Sequence, residues 1–120
     1  MINLQSLALL TPRPQHSEPA FTPAQITEHL SQLPGWQFVS GKIVKTFSFK
    51  NYYETIAFVN VLAAISHATD HHPDLTVHYS RCVVEFNTHD VEHGKGGISI
   101  NDFICAARIE VFLAQTAATA

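Results

Sequence analysis

The chain has 120 residues, 46% hydrophobic and only 14% charged, with a formal net charge of −3, which fits one domain with a real core. Its seven Lys and Arg are scattered, which argues against direct nucleic-acid binding, and no run approaches the roughly 20 apolar residues of a membrane helix. The two cysteines, Cys82 and Cys105, show no metal or redox spacing and the start of the chain has no basic region, so the expectation is a soluble cytoplasmic protein with buried thiols.

Residues 1–20 are interrupted by Pro12, Pro14 and Pro19 and show no period. They read as a partly disordered extension, with a strand or arm docked on the body as the alternative for Ile2 to Leu10. Residues 21–120 form the domain proper. Thr22 predicts a helix start, with Pro23 at the first helical position and Gln25 closing a capping box. Ile26, His29, Leu30 and Leu33 follow at helical spacing, and Pro34-Gly35 ends the helix.

Trp36–Val39 and Lys42–Phe49 read as a hairpin around Ser40-Gly41. Ile43, Lys45, Phe47 and Phe49 share one face and Val44, Thr46 and Ser48 the other, so alternation leaves the core face open. Asn51 opens a second helix with Glu54 as capping partner. Ile56, Val59, Leu62, Ala63 and Ile65 make its apolar stripe, and Pro73 ends it near His71 or His72.

Leu75–Tyr79 and Cys82–Thr88 are predicted strands with a turn near Ser80. Asp90 to Gly97 is a loop. Its Gly94-Lys95-Gly96-Gly97 lacks the spacing of a phosphate-binding loop and reads as a flexible turn. Ser99 caps a last helix with Asp102 at the capping-box position, and Ile104, Ala107, Arg108 and Val111 follow at helical spacing. The order α-β-β-α-β-β-α predicts an α+β domain with an antiparallel sheet and helices packed on one face.

The chemistry-bearing residues cluster. His67, His71, His72, His78 and His89 lie close in sequence, with Asp70 and Asp74 beside the His71-His72 pair. Imidazole exchanges protons at little cost near neutral pH. Each residue also has a plainer reading: His71-His72 as a polar helix end, His89 as a solvated strand end, Asp102 as a helix cap. A metal is the other chemical alternative. His67 and His71 stand four apart, and His72, His78, His89 or His93 could add ligands, but no HExxH motif or cysteine pair anchors such a site. Tyr52, Tyr53, Phe47, Phe49 and Phe58 read as core and interface aromatics, or as a face on which a flat heterocycle stacks.

Taken together, His71-His72-Pro73, Tyr79, Thr88-His89 and Asp102 resemble the pterin-4a-carbinolamine dehydratase family. Gly35-Trp36, Phe47-Ser48-Phe49 and the helix carrying Phe58 are similar too, and the resemblance spans residues 22 to 115. It implies a four-stranded antiparallel sheet with three helices on one side, in a homodimer or homotetramer. It implies a dehydratase needing neither metal nor cofactor, which removes water from a 4a-hydroxytetrahydropterin. The product is a quinonoid dihydropterin, and the reaction recycles the tetrahydrobiopterin cofactor of aromatic amino-acid hydroxylases. By resemblance, His71 and His89 are the acid/base pair and His72 holds substrate. Asp102, Tyr79 and His67 line or support the pocket.

Three positions depart from the family pattern. His67 stands where an acidic residue is usual, the His89–Gly97 segment is longer, and Leu75 stands where an aromatic residue is frequent. They leave a catalytically weak pterin- or protein-binding member of the same fold as the alternative.

Overall fold

The computed structural model describes residues 2–119, with side chains through residue 116. The helices are α1 (Leu4–Leu9), α2 (Pro23–Leu30), α3 (Tyr52–Thr69) and α4 (Ile100–Thr119). The strands are β1 (Gln37–Val39), β2 (Lys42–Ser48), β3 (Asp74–Val77) and β4 (Arg81–Phe86). A single 3₁₀ turn covers Glu92–Gly94.

All strand pairs are antiparallel, in the order β1-β2-β4-β3. The predicted α+β order is present, preceded by α1. Ile43 and Phe47 of β2 and Cys82, Val84 and Phe86 of β4 point inward, beneath Phe58 and Leu62 of α3 and Phe103 and Ala107 of α4. Alternation left the core face of β2 open because Lys45 sits on the buried side. Its ammonium lies 2.8 Å from Glu110 and 3.0 Å from the Pro34 carbonyl, and Glu110 also accepts the Trp36 indole N–H at 2.9 Å. A lysine can face the core where its charge is matched in this way.

Local signals set the helix starts. Thr22 accepts the Gln25 backbone N–H and the Gln25 amide oxygen accepts that of Thr22, the predicted capping box. Asn51 accepts the N–H of Glu54, but the Glu54 carboxylate turns back to the N–H of Lys50 instead of Asn51.

α3 buries Thr55, Phe58, Leu62 and Thr69, while Ala63 of the predicted stripe is exposed. This helix is apolar on more than one side, so periodicity alone does not select its inner face. The helix stops at Thr69 because Asp70 adopts a left-handed conformation (φ 53°, ψ 37°). Aspartate tolerates that region better than most residues.

Residues 2–20 include one short helix, α1. Asn3 caps α1 through a reciprocal box with Ser6, Leu7 is buried, and α1 packs on α4. The element over Leu4–Leu9 is a helix and not a strand. The signal was weak because α1 is short and gains its stability from the surface it covers.

Candidate active site

β4 ends at Phe86, and Thr88 continues its direction through a bridge to Gly97, with reciprocal backbone bonds of 2.7 and 3.0 Å. α4 starts nearby. The turn at Asp70 carries His71 off the end of α3 toward α4. The end of α3, the end of β4 and the first turn of α4 thus converge on one place.

Asp102, with no exposed surface, is the hub. Its Oδ1 accepts His71 Nε2–H at 2.6 Å. Its Oδ2 accepts the Thr88 hydroxyl at 2.9 Å and the Ser99 backbone N–H at 2.9 Å. Ser99 Oγ–H in turn donates to Thr88 Oγ1 at 2.6 Å and accepts the Asn101 N–H at 3.2 Å. The expected capping role of Asp102 is therefore present, through the N–H of Ser99, and the same carboxylate orients an imidazole. A buried carboxylate is tolerated when its lone pairs are filled like this.

The bond to Asp102 sets the His71 tautomer with the proton on Nε2, leaving Nδ1 to accept. Nδ1 makes no hydrogen bond to any described residue. The ring stacks on buried Phe86 (centroids 5.9 Å apart, planes 11°), which fixes its tilt.

His71 opens onto a cavity of about 350 Å³, lined also by Thr69, Asp70, Thr88, His89, Asp90 and Asn101. Its remaining wall is Pro12 to Gln15 of the N-terminal segment. A second cavity, of about 420 Å³, adjoins it and shares Arg13 and Gln15.

The other predicted site residues fall differently. His72 is exposed and is not among the cavity-lining residues. It lies near Asp74, whose carboxyl is held below the usual range first by its hydrogen bond to Lys42 and then by the Lys42 charge, with smaller contributions from His89 and His72. Of the two, only His89 lines the cavity. His67 is exposed on the last turn of α3 and does not line the cavity. His67 and His71 stand four apart in sequence but not on one helix, because Asp70 ends α3 between them. Tyr79 lies beyond the other end of β4, 67% exposed, with its ring stacked against Tyr52 at 6.4 Å.

Sequence reasoning missed Asn101 and the Pro12–Gln15 segment. Asn101 carries no signal beside a stronger cap at Asp102, and the segment meets the cavity only through contacts remote in sequence.

Fold and cavity together define a small antiparallel α+β domain with a carboxylate-anchored imidazole and a second imidazole on one open cavity. The profile of the family described as pterin 4 alpha carbinolamine dehydratase matches residues 19–112, and the chain belongs to that family. A relative from Bdellovibrio bacteriovorus is 54% identical over 102 residues, covering 85% of each chain. One from Chromobacterium violaceum is 48% identical over 105 residues, covering 88% of this chain and 94% of its own. Both carry the name "Putative pterin-4-alpha-carbinolamine dehydratase". Among solved structures, a transcriptional coactivator/pterin dehydratase from Brucella melitensis superposes with a TM-score of 0.70 at 29% identity, over 77% of this chain and 96% of its own. A pterin dehydratase-like RuBisCO assembly factor of the alpha-carboxysome shares the fold (TM-score 0.51, 23% identity, 63% of this chain and 83% of its own).

Proposed function

We propose that the protein is a hydro-lyase that dehydrates a 4a-hydroxytetrahydropterin of the tetrahydrobiopterin type to the quinonoid dihydropterin. The observation that carries this reading is that His71, anchored by Asp102, and His89 line one cavity. The reaction breaks the C4a–O bond and removes the proton on N5. The oxygen leaves as water once protonated, so one acid and one base are needed.

His71 suits the base. Asp102 holds its Nε2–H, so Nδ1 can take the N5 proton and the imidazolium formed is stabilised by the carboxylate. His89 supplies the proton to the departing oxygen, and its exposed position lets it be reprotonated from solvent. His72, exposed and outside the cavity lining, is assigned to hold the part of the substrate that projects from the cavity. These residues need neither metal nor cofactor for the two proton transfers. The low charge content and the exposed Phe38, Val39 and Tyr53 support self-association as a homodimer or homotetramer.

The test is direct. Purified protein should accelerate dehydration of 4a-hydroxytetrahydrobiopterin generated in situ. Absence of acceleration overturns the enzyme reading, and tight pterin binding without turnover selects the binding-protein alternative.

A further inference from the structure

We propose that Pro12–Gln15 is a substrate-binding wall, with Arg13 as its cationic contact and Asn101 as the positioning residue that holds it. This rests on the reading of the cavity as a pterin site.

The segment is fastened at several points across the cavity. The buried Asn101 side chain grips the Arg13 main chain from both sides: Oδ1 accepts the Arg13 N–H at 3.1 Å and Nδ2–H donates to the Arg13 carbonyl at 2.6 Å. On the upstream side, Arg108 Nη2 donates to the Leu10 carbonyl at 2.8 Å. Downstream, the Ser17 N–H donates to the Asp90 carbonyl and the Glu92 N–H to the Glu18 carbonyl, both at 2.8 Å. The Glu92 carboxylate accepts the Ala20 N–H at 2.8 Å. The Asp90–Gly97 loop and the N-terminal segment therefore hold each other. Pro12 and Pro14 restrict the free chain, lowering the entropy lost in docking.

Arg13 is the distinctive side chain of this wall. Its main chain is clamped, yet its guanidinium makes no hydrogen bond or ion pair with any described residue. It lines both cavities. A guanidinium is always charged and offers a fork of donors. A pterin carries a carbonyl oxygen on the ring carbon next to C4a, which such a fork can bind while His71 and His89 act at N5 and the hydroxyl.

The experiment measures kcat and KM for 4a-hydroxytetrahydrobiopterin, and Kd for 7,8-dihydropterin, which lacks the 4a-hydroxyl. Limited proteolysis reads the docking of residues 11–20. Arg13→Ala should raise KM and Kd about 10-fold, the worth of one charge-assisted hydrogen bond, with a smaller fall in kcat. Arg13→Lys should recover part of the loss. Asn101→Ala should raise KM similarly and open residues 11–20 to protease, whereas Arg13→Ala should leave them protected. Wild-type turnover with KM and Kd within twofold in both alanine variants overturns the proposal and leaves the dehydratase reading standing. Wild-type protein that neither binds dihydropterin nor dehydrates the substrate overturns both. Should Asn101→Ala not fold, the Arg13 pair decides alone.

Discussion

Asn101 and Asp102 are consecutive residues in the first turn of α4, and they hold two separate parts of the lining of one cavity. Asn101 clamps the main chain of Arg13, and Asp102 anchors the ring of His71. Both side chains are buried, and both are set by the same helix start at Ser99. The distance between the N-terminal wall and the imidazole is thus governed by one rigid turn.

Asp102→Asn should lower kcat/KM at least about 100-fold, because an amide presents an N–H where His71 needs an acceptor, favouring the wrong tautomer. Steady-state kinetics with an unchanged far-UV circular dichroism spectrum would separate this from unfolding.

His71→Ala and His89→Ala should each slow dehydration strongly, while His67→Ala should change kcat/KM less than about threefold. His67 is exposed and outside the cavity lining, so its loss removes no group from the pocket. Parallel assays of the three variants under one condition decide it.

Gly97→Ala should destabilise the fold by about 1–3 kcal/mol, since a Cβ there would stand 2.7 Å from the Cβ of Ala20. Both groups lie in the contact between the loop and the N-terminal segment. Adding Ala20→Gly removes the opposing methyl and should restore most of the loss in urea unfolding.

Glu110→Ala should cost about 2 kcal/mol by leaving the Trp36 N–H and the Lys45 ammonium without their shared acceptor. Glu110→Gln keeps an acceptor in place and should cost less. Denaturant titration of both variants is the check.

Stability should fall as pH rises from 9 toward 11. Burial pushes the Cys105 thiol up to about 11, whereas in the unfolded chain it titrates near 9.0. In that window the unfolded chain releases a proton that the folded protein retains, so ionisation favours unfolding, by about 2–3 kcal/mol at most. Cys105→Ala should flatten this part of the pH–stability curve, measured as the difference from wild type.

Much of the architecture is local and legible. Thr22, Asn51 and Asp102 announce helix starts through groups three residues apart, and Pro73 limits α3 from outside. Two edges fall short of the predicted ones. β3 stops at Val77, and α3 stops at Thr69, ahead of the limit set by Pro73, because Asp70 turns left-handed. The inner face of α3 is chosen by the sheet beneath it and not by its own period.

The sequence by itself determined the element order from α2 onward, the antiparallel α+β class and the set of imidazoles and carboxylate available for chemistry, because capping, turn and alternation signals act within a few residues. Only the tertiary structure decided which of those groups meet. Asp102 reaches His71 across 31 residues and Asn101 reaches Arg13 across 88, through contacts that exist only once α4 is packed. The same packing leaves His67 and Tyr79 outside the cavity and brings Arg13 to its wall. Spacing along a chain constrains such meetings only inside one helix or strand, and this cavity is built where three elements end.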